Sequence, residues 1–129
     1  MDTIANMLTI IRNGQAVKKD LVRIPYSKVK FNLAKLLEKE GFLGSVETKG
    51  GNHKLIIVAQ LKYGEGGGSH INSLKRVSKP GQRLYVSYKN LRPIKEGYGR
   101  AIISTPRGLL TGESAKKEKV GGEYICEIW

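Results

Sequence analysis

The sequence predicts an α+β fold of two small lobes: an N-terminal α-β-α-β-β lobe and a C-terminal lobe that is mostly β with a short helix. Three observations carry this. Apolar residues recur at helical spacing twice within residues 1–41, and each helical stretch is followed by strand-like runs. A glycine-rich stretch, Gly64-Glu65-Gly66-Gly67-Gly68-Ser69, interrupts the chain near its middle. Beyond it the pattern is mostly strand. We therefore expect an α/β lobe over residues 1–63, a linker or mobile loop over 64–69, and a β-rich lobe over 70–129. At 129 residues, 40% hydrophobic and 26% charged, the chain is globular and long enough to bury a core without staples.

Each element has a local reason. Asp2 or Thr3 caps a helix whose apolar face is Ile4, Met7, Leu8 and Ile11; Asn13-Gly14 weakens it near its end. Lys18-Lys19-Asp20 reads as a loop. Leu21-Val22-Arg23-Ile24 is a short strand stopped by Pro25. Ser27 caps a second helix with Val29, Leu33, Leu36 and Leu37 on one face, and Gly41 ends it. Residues 43–48 and 54–61 flank the turn Lys49-Gly50-Gly51-Asn52 and read as a hairpin. Its second arm, with Leu55-Ile56-Ile57-Val58, suits a strand covered on both faces, with the two helices packed on its sheet.

In the second lobe, residues 71–78 read as a strand, although Ile71, Leu74 and Val77 also fit a helix. Pro80-Gly81 marks a turn. Residues 84–88 alternate, with Leu84, Val86 and Tyr88 on one face and Tyr85 and Ser87 on the other. Residues 99–105 form a strand, 109–111 its hairpin partner, and 113–119 a short polar helix. Gly121-Gly122 opens a last strand on which Tyr124, Cys126 and Ile128 face one way.

Charge bounds the function. Lys and Arg number 23 against 11 Asp and Glu, a net of +12. Residues 75–107 hold nine positive residues and one acid, a local net of +8. Solubility needs far less, so the balance points to a polyanion, nucleic acid before anionic membrane. The acidic start and Arg12 do not fit a signal peptide, and the longest apolar run, residues 55–59, is too short for a bilayer, so we expect a reducing cytoplasm. The one cysteine, Cys126, fits a small buried residue.

Enzymatic constellations are weak. Gly97-Tyr98-Gly99 lacks the third glycine and following helix of a dinucleotide fingerprint. There is no Gly-Lys-Ser/Thr phosphate loop. His53 and His70 have no metal-like spacing, and neither Ser104 nor Ser114 has a base to argue from. No cofactor is expected. An RNA-modifying enzyme would need such a cradle or an acid–base pair; a free-standing RNA regulator would share the basic face and differ in partners.

Binding constellations fare better. Ser104-Thr105-Pro106-Arg107-Gly108 places two hydroxyls and a cation on a backbone with little bulk, suited to a sugar-phosphate chain. Lys28 and Lys30 sit at a helix N-terminus, as phosphate contacts or as ordinary solvated charges. Arg83 and Tyr85 share a face; the ring could stack on a base or pack on the sheet. Lys75 and Arg76 begin the basic segment.

At this point a resemblance becomes specific. The stretches Ile4-Ala5-Asn6-Met7-Leu8-Thr9-Ile10-Ile11-Arg12-Asn13-Gly14-Gln15, Pro25-Tyr26-Ser27-Lys28-Val29-Lys30, Glu40-Gly41-Phe42, Leu61-Lys62-Tyr63, Arg76-Val77-Ser78-Lys79-Pro80-Gly81-Gln82-Arg83-Leu84-Tyr85, Gly97-Tyr98-Gly99, Ser104-Thr105-Pro106-Arg107-Gly108 and Gly121-Gly122-Glu123-Tyr124-Ile125-Cys126 jointly resemble the bacterial family of the eighth small-subunit ribosomal protein. The resemblance implies a non-enzymatic, two-lobed primary binder of the 16S rRNA central domain that helps assemble the platform. It implies RNA contacts mainly in the C-terminal lobe, at Ser104 and Thr105, at Gly121, Gly122 and Glu123, and at Tyr85, with Lys28 and Lys30 added by the N-terminal lobe. It further implies neighbouring small-subunit proteins, the fifth among them, as partners. Some members also bind their own messenger RNA; the sequence leaves that open, as it does a cytoplasmic or organellar ribosome.

The chain departs from the family at Pro106, where a third hydroxyl is usual, at Thr3, where proline is usual, and in its richer glycine loop. Short side chains such as Ser104 and Thr105 suit the wide minor groove of an RNA helix. Glu123 could accept from ribose or base donors, orient a nearby cation, or pair within the protein, for example with Arg107.

Overall fold

The computed structural model of the chain describes residues 3–51, 54–64, 66, 68 and 70–129. The expected cap Asp2, turn residue Asn52, His53, and Glu65, Gly67 and Ser69 of the glycine stretch lie outside these. The fold is mixed α+β, with three helices and two antiparallel sheets. Its described residues divide into two compact units, residues 3–71 and residues 72–129.

The first unit runs α1 (Thr3–Ala16), β1 (Leu21–Pro25), α2 (Lys28–Lys39), β2 (Leu43–Lys49) and β3 (Ile56–Leu61). The strands form one sheet in the order β1-β3-β2, with β3 central. Pro25 falls at the end of an edge strand, where its missing N–H costs least. Ile4, Met7, Leu8 and Ile11 are buried, as their spacing predicts. Asn13-Gly14 does not end α1. Gly14 is buried inside it, because a Cβ there would sit 2.5 Å from Val22 Cγ1 and 3.1 Å from Leu61 Cδ1. The glycine lets the helix lie close on β1 and β3, and Lys18, at φ 56, turns the chain instead.

Helix α2 buries Lys30, Leu33, Ala34 and Leu37, while Val29 is exposed, so its inner face is rotated from the one expected. Ser27 caps it: the Lys30 N–H donates to Ser27 Oγ at 3.2 Å. Gly41, at φ 85, ends it as expected. We expect Ser27→Ala to lower stability by about 1 kcal/mol and Ser27→Asp to retain it, read as denaturant midpoints.

The sheet is covered less evenly than the apolar run suggests. Antiparallel register sets Ile57 beside Ile24 and Ala59 beside Val22 and Val46, all buried. Val58 stands between exposed Arg23 and Glu47 on the other face. The helices cover one face, and β1 alternates buried and exposed accordingly.

The second unit runs β4 (Leu74–Arg76), β5 (Tyr85–Val86), β6 (Arg100–Thr105), β7 (Gly108–Thr111), α3 (Gly112–Glu118) and β8 (Gly122–Ile128), with 3-10 turns at Tyr88–Asn90 and Lys95–Gly97. Its sheet is ordered β4-β8-β6-β7, with β5 also paired to β8. The expected strand at 71–78 shrinks to β4, and the alternating run 84–88 pairs only through β5. Pro80-Gly81 is the tip of a turn in which Lys79 and Gln82 exchange backbone hydrogen bonds of 3.0 and 2.9 Å. Thr111 caps α3, accepting from the Ser114 N–H at 3.2 Å. Leu91, Ala101, Ile103 and Ala115 form the small core between sheet and helix.

The register corrects one expectation. Ile102 pairs with Cys126 but Ile103 pairs with Tyr124, so β8 carries one extra residue, Ile125, against β6. This β-bulge puts Tyr124 and Cys126 on opposite faces. Tyr124 packs with Ile103 on the α3 side. Cys126 is buried between Ile102 and Arg76 of the neighbouring strands, and burial outweighs the Arg76 charge and pushes its thiol up to about 12, so it stays protonated at neutral pH.

Candidate nucleic-acid interface

Strand order assembles the candidate residues. Tyr85 on β5 lies directly opposite Glu123 on β8, and Glu123 lies opposite Ser104 on β6. Residues directly opposite in an antiparallel pair share a face, so Tyr85, Glu123 and Ser104 form one cross-strand row. The row lies on the face away from α3.

Its members have different freedom. Tyr85 is 73% exposed, so its ring stands in solvent instead of against the sheet. The Ser104 side chain has no hydrogen-bond partner among the described residues. Thr105 is committed: its Oγ1 donates to the Gly108 carbonyl at 2.8 Å and accepts from the Arg107 N–H at 3.0 Å. It closes the β6–β7 turn, in which Gly108 has φ 101 and Pro106 restricts the backbone. Arg107 pairs with Glu118 of α3 at 2.9 Å, so its partner is not Glu123.

Glu123 is held between two donors. The Ser78 hydroxyl donates to Oε2, and Arg83 Nη1 donates at 3.1 and 3.3 Å. Ser78 is fully buried and also accepts from the Leu84 N–H at 3.1 Å, which ties the approach to β5 onto β8. Partial burial alone would raise the Glu123 carboxyl. The hydrogen bonds from Ser78 and Arg83, with the charges of Arg83 and Arg76, outweigh it and hold the carboxyl below its ordinary value. Arg76 Nη1 donates to the Ile125 carbonyl at 2.6 Å, at the bulge.

The glycines act on the protein's own backbone. A Cβ at Gly121 would collide with the Val86 carbonyl oxygen, and one at Gly122 with that of Ser104. They let β5, β8 and β6 close together at the row.

Other expected residues fall elsewhere. Lys75 lies opposite Glu127 on the α3 face, away from the row. Lys28 is exposed, but Lys30 is only 6% exposed, since residues two apart on a helix point in different directions. Reasoning from sequence missed Ser78, whose burial between Glu123 and Leu84 has no local signal.

A family profile described as Ribosomal protein S8 matches residues 2–129. The chain belongs to the ribosomal protein S8 family. The "Small ribosomal subunit protein uS8" of Bdellovibrio bacteriovorus is 41% identical over 129 residues, covering 100% of both chains. That of Sorangium cellulosum is 45% identical over 130 residues, covering 99% of this chain and 98% of its own. The "Small ribosomal subunit protein uS8c" of Marchantia polymorpha is 41% identical over 129 residues, again covering 99% and 98%. As an S8 protein, the chain is a structural constituent of the small ribosomal subunit, among rRNA and other ribosomal proteins, and not an enzyme. Among the described residues no helix is long and apolar enough to cross a membrane.

Proposed function

We propose that this S8 protein is a primary binder of the 16S rRNA central domain and helps assemble the platform, with its C-terminal lobe, residues 70–129, as the RNA-binding lobe. The carrying observation is the cross-strand row, an exposed ring and an unpartnered hydroxyl on either side of a carboxylate that holds Arg83. Ser104 reaches ribose or base edges, Tyr85 stacks, and Arg83 meets phosphate. Glu123 orients Arg83 and keeps acceptor capacity for a ribose or base donor. Thr105, Gly121 and Gly122 shape the surface, while Arg76, Arg107 and Lys28 add salt-dependent affinity. Partners are neighbouring small-subunit proteins, the fifth among them, and the chain's own messenger RNA remains a second RNA target to test. We place it in cytoplasmic ribosomes; the Marchantia relative keeps an organellar ribosome as the alternative.

The test is binding of the purified chain to fragments of 16S rRNA at several salt concentrations. One central-domain fragment should bind far more tightly than the rest, with Ser104→Ala and Tyr85→Ala each costing about 1–3 kcal/mol on it. Equal binding of all fragments, unchanged by either substitution, would reduce the basic face to a general polyanion surface.

A further inference from the structure

We propose that the α3 side of the C-terminal sheet carries a second RNA-binding surface, for an unpaired strand, with phosphates along a basic groove and one base in an adjoining apolar slot. The groove, about 550 Å³, is lined by Lys75, Lys79, Gln82, Asn90 and Arg92 among others. Lys75, Lys79 and Arg92 are exposed, and none is held in an ion pair among the described residues. The carboxylate in the lining, Glu127, accepts the Tyr124 hydroxyl at 2.6 Å. Three free cations against one engaged acid make the groove a site for an anionic chain.

The slot, about 250 Å³, shares Arg92 and Ile94 with the groove and is lined further by Leu91, Ala101 and Gly112, with Lys116 and Glu113 also on its wall, Glu113 being paired with Lys117 at 3.7 Å. Arg100 is turned away from this role, donating to the Gly97 and Gly99 carbonyls at 2.7 and 2.9 Å. The loop beside the slot is fixed. The N–H groups of Gly97 and Gly99 both donate to the Ile94 carbonyl at 3.0 Å, and Lys95 Nζ lies 4.8 Å from the centre of the Trp129 ring. Between those two glycines, both lining the slot, Tyr98 is held 83% exposed.

An apolar slot beside a row of cations matches a nucleotide, which pairs a flat heterocycle with a phosphate. A duplex keeps its base faces stacked and cannot fill the slot, so the surface selects an unpaired strand. Strand register puts it on the opposite sheet face from the Tyr85–Glu123–Ser104 row. Occupation of one therefore leaves the other open.

The probe is a labelled oligoadenylate heptamer titrated with the full chain at several salt concentrations, alone and with the central-domain fragment saturating. The heptamer should bind in both cases. The double variant Lys79→Ala/Arg92→Ala should weaken it about tenfold and flatten its log–log salt slope by about 1.4, at roughly 0.7 per phosphate contact on a single strand. Tyr98→Ala, or an abasic strand of equal length, should weaken binding by about fivefold or more. Fragment binding should be untouched by these changes, which also shows the variants folded. Displacement of the heptamer by the fragment, equal loss in Ser104→Ala, or equal binding of an RNA duplex or of polyglutamate would overturn the assignment. Indifference of the fragment to Ser104→Ala and Tyr85→Ala, with the heptamer results intact, would sink the row and leave this surface standing.

Discussion

Gly122→Ala should destabilise the protein by about 3 kcal/mol, at the upper end of what one added carbon costs in a packed site. The new Cβ would collide with the Ser104 carbonyl oxygen and lie 2.8 Å from its carbon and 3.1 Å from the Thr105 Cα. These are backbone atoms of a paired strand, and no side-chain rotation relieves them. Gly122 is also opposite Val86, so moving β8 away from β6 disturbs β5 as well. The row that we propose meets RNA should be lost with the strand spacing. Gly81→Ala is the control: nothing lies within 4 Å of a Cβ there, and the midpoint should move by less than about 0.5 kcal/mol in equivalent stability. Equal urea midpoints for the two variants would contradict the steric account.

Glu123→Ala should cost about 2–3 kcal/mol at pH 7, because it leaves the fully buried Ser78 hydroxyl without its acceptor and releases Arg83. The dependence on pH follows from the depressed carboxyl. A glutamate whose folded value lies below its ordinary 4.5 stabilises the fold fully above that value, and the contribution fades as pH falls through the folded one. The stability gap between wild type and Glu123→Gln should therefore be level from pH 8 to about 5 and narrow in stronger acid. A gap that stays constant down to pH 3 would mean that the charge of Glu123 contributes nothing to holding β8 to Ser78 and Arg83.

Much of the fold is legible because its signals are local. The α1 stripe, the Ser27 cap, the Gly41 stop and the Pro80-Gly81 turn each depend on a few adjacent residues, and each is where the sequence puts it. Features that depend on strand order are not legible. Residues 85, 104 and 123 are individually noticeable in the sequence, but their adjacency arises from β8 lying between β5 and β6. The same holds for Gly14 and Gly122, which read as a helix weakener and a strand opener. Their role is close approach to residues distant in sequence, Val22 and Ser104. Lys30 reads as a surface cation by type, and only the rotation of α2 turns it inward. The pairing of Arg107 with Glu118 in place of Glu123 likewise depends on where α3 folds back beside the β6–β7 turn.

The extra residue at Ile125 acts as a phase shift along a ribbon. Upstream and downstream of it, odd and even positions of β8 exchange sides, so one strand can serve two surfaces that a regular strand would mix. A regular strand of the same sequence would put Glu123 and Cys126 on opposite faces; the extra residue brings both to the face of Ile102 and Ser104. The composition of the surface would be the same in such a regular strand, and its address would not.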